Sequence, residues 1–308
     1  MNIIEVNGLT KTYGSLTAVD HISFTVPQGS MLGFLGINGA GKTTAISMLS
    51  TLLKPDSGSA HICGHALGKE DAAIRRSIGI VYQHNCLDDM LTVKENLLCR
   101  GILHGATGPE AGKRLAHLTQ ILKLEDILKK KYKTLSGGQK RRCEIAAALM
   151  HTPQILFLDE PTTGLDPATR KDVWQTIEDL RQTERMTVFL TTHYMEEAAA
   201  ADQIIILDHG NIITSGTPFA LKETYAFDKL RLHCGAQQAQ QILDLPQVKG
   251  LSHRLTPFGL ELGIRSTLDA LPVLEAAKGS YDGFEVIQGN MDDVFLNAVG
   301  KDLTAQQG

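Results

Sequence analysis

The sequence has 308 residues, which is long enough for two domains, and its 43% hydrophobic and 21% charged content is typical of globular proteins. The 30 basic and 34 acidic residues give a net charge of −4, the wrong sign for a surface that binds nucleic acid. The longest apolar run, Met31 to Ile37, is far too short to span a membrane, and no secretory signal is visible. We therefore expect a soluble cytoplasmic chain.

Short apolar strands alternate with helical stretches through the first two thirds of the chain. Residues 3–6 and 21–26 are rich in β-forming residues, and residues 31–36 form an apolar run that ends in glycine and leads into a helical stretch. Further strands are predicted at residues 78–82, 155–158, 187–190 and 203–207. Strands this short and apolar, with helices between them, are typical of a parallel sheet buried on both faces. The fold class is therefore predicted to be α/β.

A helical insert interrupts this alternation. No strand signal occurs from Leu91 to Lys131, and Thr92 with Glu95 forms a capping-box pattern at the start of a helix. We expect a helical subdomain at about residues 91–150.

The composition changes again after Gly216 and Pro218. From about residue 227 the predicted order is strand, helix, strand, strand, helix, strand, which matches the ferredoxin-like split βαβ arrangement, and a helix with the sequence MDDVFLNAVG follows. We expect a first domain at residues 1–220 and a small C-terminal accessory domain of α+β type at residues 226–308.

A glycine-rich loop with the sequence GINGAGKTT lies between a predicted strand and a predicted helix. This is the P-loop pattern, in which glycines let backbone N–H groups point at phosphate oxygens, and Lys42 supplies a charge for the β and γ phosphates. Thr43 is expected to bind Mg²⁺. The loop residues expected to contact a nucleotide are Gly36, Asn38, Gly39, Ala40, Gly41, Lys42, Thr43 and Thr44.

Two carboxylates follow the predicted strand ILFL, at the edge where open α/β sheets bind ligands. Asp159 is suited to hold Mg²⁺ beside the P-loop threonine, and Glu160 is suited to polarise the attacking water as a general base. Paired acids at a strand end are otherwise a helix cap or a solvated turn, so the P-loop upstream decides the assignment.

The string LSGGQ begins a further predicted helix. Ser136 and Gln139 fit a capping box, and the two glycines between them leave bare backbone N–H groups that suit a phosphate. The residues assigned to nucleotide binding here are Ser136, Gly137, Gly138 and Gln139.

Together, the P-loop, LSGGQ and the LDEP run resemble the ATP-binding subunit of an ABC (ATP-binding cassette) transporter over residues 3–218. The resemblance implies a P-loop NTPase core with ATP and Mg²⁺ as cofactors. It implies that Tyr13 stacks on adenine and that Gln83 contacts Mg²⁺ and the water and faces a membrane partner. It also implies that Asp166 crosses to a second subunit and that His193 holds the γ-phosphate.

The same resemblance implies that two copies of the chain pair head to tail as a homodimer, with each ATP between the P-loop of one copy and LSGGQ of the other. One side of each site would carry Lys42, Asp159, Glu160 and His193, and the other Ser136, Gly137 and Gly138. A separate integral membrane permease subunit would dock on the helical insert, which would place the chain at the cytoplasmic face of the membrane.

The segment after Pro218 and the terminal MDDVFLNAVG resemble the C-terminal extension of drug-resistance (daunorubicin-type) ATPases that serve ABC-2 membrane subunits. This favours an ATPase that powers an exporter of drugs or other amphipathic molecules. The alternatives are an importer ATPase and a soluble ABC ATPase that acts on DNA or ribosomes; the latter usually carry long coiled coils or two cassettes, and neither occurs here.

Overall fold

The computed structural model describes residues 1–305 and divides the chain into two compact units, Met1–Ser215 and a second that begins at Gly216. The predicted end of the accessory domain, Gly308, lies outside the described residues. None of the described helices is long and apolar enough to cross a membrane.

The first unit contains ten strands, seven α-helices and one short 3₁₀ helix, Tyr132–Thr134, within its described residues. The strands are β1 (Asn2–Tyr13), β2 (Leu16–Pro27), β3 (Met31–Leu35), β4 (Ser57–Ile62), β5 (His65–Ala66), β6 (Ile78–Val81), β7 (Ile155–Asp159), β8 (Thr187–Thr192), β9 (Gln203–Asp208) and β10 (Asn211–Gly216). The helices are α1 (Lys42–Leu49), α2 (Asp71–Ser77), α3 (Val93–Leu103), α4 (Gly108–Leu122), α5 (Gly137–Leu149), α6 (Pro167–Glu184) and α7 (Met195–Ala198).

A six-stranded sheet with the order β10-β9-β3-β8-β7-β6 forms the centre of this unit. The pairings of β3 with β8 and β9, of β7 with β8, and of β6 with β7 are parallel. Strands β3, β7 and β8 are buried along their whole length, and on one face Phe24 of β2 packs against Phe34 and Phe189. The predicted α/β class and the predicted strands of this sheet are confirmed.

A second, four-stranded sheet with the order β2-β1-β4-β5 contains two strands that the sequence pattern did not predict. Strand β4 reads SGSAHI, and its first three residues are exposed, so it shows little apolar alternation. It is held by its antiparallel pairing with β1 rather than by its own propensity.

The helical insert contains α3, α4 and α5 and no strand within residues 91–150. Thr92 and Glu95 form the predicted capping box at the start of α3.

The second unit contains α8 (Pro218–Tyr225), β11 (Asp228–His233), α9 (Ala236–Leu243), β12 (His253–Thr256), β13 (Gly259–Ile264), α10 (Ala270–Ala276), β14 (Gly283–Ile287) and α11 (Met291–Ala305). The strands form an antiparallel sheet with the order β12-β13-β11-β14, which is the ferredoxin-like topology predicted from the sequence. One face of the sheet carries the core, which includes Leu230, Leu232, Leu260, Leu262 and Ile264.

Helix α8 belongs to this second unit, whereas the predicted first domain, 1–220, extends into it. Residues 216–218 form the start of helix α8. Thr217 Oγ1 accepts a hydrogen bond from Ala220 N, and Pro218 is the first residue of α8. The helix packs on α11, where Asn297 Nδ2 donates to Tyr225 O at 2.7 Å.

Strand register brings the candidate site together. Leu35 at the end of β3 pairs with Thr192 at the end of β8, and Asp159 at the end of β7 pairs with Thr191. The glycine loop, Asp159 with Glu160, and His193 therefore all begin at one edge of the sheet.

Candidate functional site

The glycine loop between β3 and α1 has a shape that two of its glycines make possible. Gly41 has φ of 105°, and a Cβ added there would lie 2.3 Å from Ala18 O. A Cβ at Gly36 would lie 2.5 Å from Leu207 O. No side chain caps α1, so its first backbone N–H groups and the positive end of its dipole face the loop. The loop thus has the form of an anion cradle.

Lys42 is the first residue of α1, and its side chain is only 5% exposed. Its ammonium Nζ donates to Gly36 O at 2.7 Å and to Ile37 O at 3.2 Å, and it lies 3.6 Å from Glu160 Oε1. Burial lowers the pKa of Lys42, and the Glu160 carboxylate opposes that shift. The ammonium is therefore a buried positive charge held between the loop and the end of β7.

The other residues of the loop differ in accessibility. Asn38, Gly39 and Thr43 are exposed, Gly41 and Thr44 are half-buried, and Gly36 and Ala40 are buried. The Thr43 hydroxyl is thus accessible at the start of α1.

Asp159 ends β7 and is buried. Its Oδ1 accepts a hydrogen bond of 2.6 Å from Thr191 Oγ1 on the neighbouring strand, which fixes the carboxylate. Burial raises the pKa of Asp159, whereas Thr191 and the charge of Lys42 lower it. The carboxylate is therefore oriented and desolvated, as a metal ligand beside a nucleotide would be.

Glu160 stands at the centre of the site. Its φ of 47° is unusual for a residue with a side chain, and its backbone N–H donates to Thr191 O at 3.1 Å. Its Oε2 accepts hydrogen bonds from Gln83 Nε2 at 3.2 Å and Thr163 Oγ1 at 3.1 Å, and lies 3.3 Å from His193 Nδ1. All four residues predicted to be catalytic, Lys42, Gln83, Glu160 and His193, are thus in one cluster.

Glu144 on α5 orders the chain just after Gln83, and sequence inspection did not identify it. Its Oε1 accepts hydrogen bonds from Cys86 N at 2.8 Å, Leu87 N at 3.1 Å and Tyr132 Oη at 2.7 Å. Burial and the bond to Glu144 raise the pKa of the Tyr132 phenol. A single acid inside the apolar run CEIAAALM was the signal that could have revealed it.

Arg141 on α5 is a second buried charge that sequence inspection missed. Its guanidinium donates to Tyr82 O and, at 3.3 Å, to Asp159 O. Burial lowers the pKa of Arg141 to about 10. The helix that begins at LSGGQ therefore contacts both the segment that precedes Gln83 and the end of β7.

The LSGGQ segment lies at the start of α5 with Ser136 and Gln139 in the predicted capping box. A Cβ at Gly138 would lie 2.3 Å from Thr169 Cγ2, so this glycine permits close contact with α6. Asp166 caps α6 by accepting from Thr169 Oγ1 and, at 3.0 Å, from Thr169 N, and these two bonds lower the pKa of Asp166.

Within the described residues, no hydrogen bond or ion pair joins this segment or Asp166 to the glycine loop of the same chain. Tyr13 at the end of β1 is likewise apart from the cluster: it is 50% exposed, and Lys11 Nζ lies 5.8 Å from its ring centroid. The structure thus brings Lys42, Gln83, Glu160 and His193 together and leaves the LSGGQ segment, Asp166 and Tyr13 apart from them.

A further buried carboxylate, Glu197 on α7, joins the segment after Glu160 to the segment before His193. Thr162 Oγ1 donates to Glu197 Oε1, and Thr192 Oγ1 donates to Glu197 Oε2 at 2.6 Å. Both threonines are buried, so these hydrogen bonds hold the two segments together out of contact with solvent.

Comparison with known proteins agrees with this geometry. The family model described as ABC transporter matches residues 19–163. The daunorubicin/doxorubicin resistance ATP-binding protein DrrA of Streptomyces peucetius is 40% identical over 305 residues, which cover 96% of this chain and 92% of that one. The linearmycin resistance ATP-binding protein LnrL of Bacillus subtilis is 44% identical over 312 residues, 98% of this chain and 99% of that one.

Among solved structures, a dimeric ATP-binding cassette in a post-hydrolysis state, bound to ADP and Pi, superposes with a TM-score of 0.63. It is 29% identical and covers 70% of this chain and 98% of its own.

Proposed function

Because this chain belongs to the ABC transporter family of ATP-binding proteins, we propose that it binds and hydrolyses ATP to power a separate membrane subunit of an exporter. The observation that carries this proposal is the cluster at Glu160, where one carboxylate oxygen meets Gln83, Thr163 and His193 beside the buried Lys42. Such a constellation suits an in-line attack of water on a terminal phosphate.

Each member of the cluster has a role that follows from its chemistry. The Lys42 ammonium neutralises charge on the β and γ phosphates. Glu160 accepts the proton of the attacking water, Gln83 orients that water, and His193 donates a hydrogen bond to the γ-phosphate. Tyr13, half-exposed at the end of β1, offers a ring face to the adenine.

The residues present also fit Mg²⁺ as a partner of the nucleotide. Within the described residues, no group of three or more His, Cys, Asp or Glu side chains could hold a metal by itself. Nucleotide-bound Mg²⁺ needs only a few protein oxygens in addition to phosphates and waters. Thr43, Asp159 and Gln83 would supply them, and the ion would neutralise charge that develops on the phosphates.

We further propose that the complete site forms between two copies of the chain. The LSGGQ glycines and Asp166 make no hydrogen bond or ion pair with the glycine loop of their own chain within the described residues, and they are exposed or half-buried. A second copy placed head to tail brings the backbone N–H groups of Ser136, Gly137 and Gly138 onto the γ-phosphate. ATP then holds the dimer closed, and hydrolysis releases it.

Mixing two inactive variants tests this composite site. Lys42→Ala removes the positive charge that binds the phosphates. Ser136→Arg blocks the LSGGQ surface that the second chain offers to the nucleotide. Alone, each is expected to be inactive; mixed, they regain ATPase activity because a heterodimer contains one site with both halves intact. A mixture that stays as inactive as its components contradicts the two-chain site.

The membrane subunit is proposed to dock in a groove of about 200 Å³ next to β6, α3 and α5. Its lining includes Tyr82 and Cys86, which lie on either side of Gln83 in the chain. A docked membrane subunit would therefore change the position of Gln83 at the nucleotide site. Leu52, which is 60% exposed, lies at the same groove. This location would place the chain at the cytoplasmic face of the membrane.

Affinity purification from detergent-solubilised membranes tests the partner. We expect a polytopic membrane protein to copurify with the wild-type chain, and with Leu16→Glu, whose residue is 64% exposed but lies outside the groove. Leu52→Glu should lose it while it keeps ATPase activity. Recovery of ribosomal or DNA-repair proteins instead would contradict a transport function.

Transport direction and cargo are proposed from the relatives. DrrA and LnrL carry names that describe resistance to daunorubicin, doxorubicin and linearmycin, and both align over nearly all of this chain, including the second unit. We therefore propose export of drugs or other amphipathic molecules. Efflux of a fluorescent amphipathic drug from cells that express the chain with its membrane subunit, abolished by Glu160→Gln, is the corresponding test.

A further inference from the structure

Glu197 on α7 has a buried carboxylate that binds two buried threonines, one on each of two segments of the site. Its Oε1 accepts a hydrogen bond from the hydroxyl of Thr162, and its Oε2 accepts one of 2.6 Å from the hydroxyl of Thr192. The pairing of β7 with β8 ends at Asp159 and Thr191. The contacts of Glu197 therefore continue the link between these two segments beyond the end of the sheet.

The residue that follows each threonine contacts the same oxygen of Glu160. Thr163 donates from its Oγ1 to Glu160 Oε2 at 3.1 Å, and His193 Nδ1 lies 3.3 Å from that oxygen. Each of these contacts depends on where the preceding threonine lies. Because Glu197 binds both threonines, it fixes the two contacts of Glu160 Oε2 relative to each other.

The backbone around His193 is held on both sides by the same set of side chains. The Thr192 hydroxyl that donates to Glu197 also accepts a hydrogen bond of 2.9 Å from Tyr194 N. The Arg170 guanidinium lies 3.9 Å from the centroid of the Tyr194 ring, and its Nε lies 3.9 Å from Glu197 Oε1. The centroid of the Tyr194 ring lies 4.2 Å from that of the His193 ring. The position of the His193 ring therefore depends on Glu197 and its partners.

We propose that Glu197 is a positioning residue for ATP hydrolysis, which sets the distance between Glu160 and His193 by holding one threonine of each segment. This inference rests on the proposed function. A misplacement of about 1 Å in reacting groups can cost about 10²-fold in rate, so the bridge acts on turnover. The glycine loop at residues 36–44 contains none of these side chains, so the bridge has little effect on ATP affinity.

Valine and serine substitutions of the threonines test the bridge. Thr162→Val and Thr192→Val remove a hydroxyl and keep the shape of the side chain. Each should lower kcat about tenfold or more, with an ATP affinity in calorimetry within about twofold of wild type. Thr162→Ser keeps the hydroxyl and loses a buried methyl group, and it should keep kcat within about twofold of wild type. Normal kcat in the valine variants, or a serine variant as slow as Thr162→Val, overturns the proposal.

The double variant distinguishes a bridge from two local bonds. If Glu197 joins the segments, breaking either bond releases them, so the double valine variant should be at most about twofold slower than the slower single variant. Independent local effects would instead multiply to about 10²-fold or more and would overturn the bridge. Thr119→Val is the control, since it removes another buried hydroxyl bond, of 2.7 Å to Leu115 O in α4. It should leave kcat unchanged, and a loss equal to that of Thr162→Val would also overturn the bridge.

The imidazole NMR signal of His193 tests the bridge without turnover. This signal, identified by its loss in His193→Asn, should shift in Thr162→Val of the nucleotide-free full chain and stay in place in Thr162→Ser and Thr119→Val. An unmoved signal in Thr162→Val overturns the bridge. Absence of ATP turnover in the wild-type chain overturns the proposed function together with the effect on rate, and the NMR shifts then decide whether Glu197 positions His193.

Discussion

Replacing Glu144 by alanine should loosen the segment after Gln83 and destabilise the first unit. Glu144 Oε1 accepts three hydrogen bonds, and two of the donors, Leu87 N and Tyr132 Oη, are buried. A buried donor left without an acceptor costs about 1–3 kcal/mol, so Glu144→Ala should lower the free energy of unfolding by about 3–4 kcal/mol. ATP turnover should also fall because Gln83 is then held less firmly.

Glu144→Gln is the matched control, since it keeps one acceptor oxygen and the side-chain volume and replaces the other carboxylate oxygen by an uncharged NH₂ group. It should cost about 1–1.5 kcal/mol, and Tyr132→Phe, which removes one of the three bonds, should cost a similar amount. Urea unfolding followed by the fluorescence of Trp174, which lies in the first unit, gives these free energies. Equal effects of the alanine and glutamine variants, or a cost below about 1 kcal/mol for alanine, would refute the role of the carboxylate.

Three further outcomes follow from the geometry. Gly41→Ala should weaken ATP binding about tenfold or more in calorimetry, because the new Cβ would lie 2.3 Å from Ala18 O. Gly39 also has a positive φ, 86°, but a Cβ there meets nothing within 4 Å, so Gly39→Ala should weaken binding less; equal losses would contradict this. Lys42→Ala should also weaken ATP binding at least about tenfold, and unchanged affinity would remove it from the phosphate site. Burial beside His104 lowers the pKa of His151 to about 4. The unfolded chain therefore binds a proton at His151 more readily than the folded chain, and the free energy of unfolding should fall by about 1–2 kcal/mol as the pH drops from about 7.5 to about 5. His151→Asn should abolish that part of the pH dependence.

The parts of the site that could be predicted from the sequence are those whose conformation is determined by a few neighbouring residues. The glycine loop, the capping box at Ser136 and the acids after an apolar strand each follow from a few neighbouring residues, and the structure places them as expected. The residue roles themselves, such as Glu160 as base, remain predictions.

What the sequence did not predict depends on contacts between distant segments. Arg141 looks like a surface charge on a helix, and Glu144 departs from that pattern only by lying in an apolar run. Tertiary packing is what shows that both are buried and that they hold Cys86, Leu87 and Asp159. Strand β4 likewise has little apolar alternation of its own and forms because β1 offers it a partner.

The central claim, that Glu160 is the base for ATP hydrolysis, is tested most directly by steady-state ATP turnover of Glu160→Gln. A positioned general base contributes about 10²- to 10⁴-fold, so turnover should fall at least about 10²-fold while calorimetry shows that ATP still binds. Glu125→Gln, the same change at an exposed glutamate outside the site, should turn over ATP at the wild-type rate. Near-normal turnover by Glu160→Gln would contradict the account.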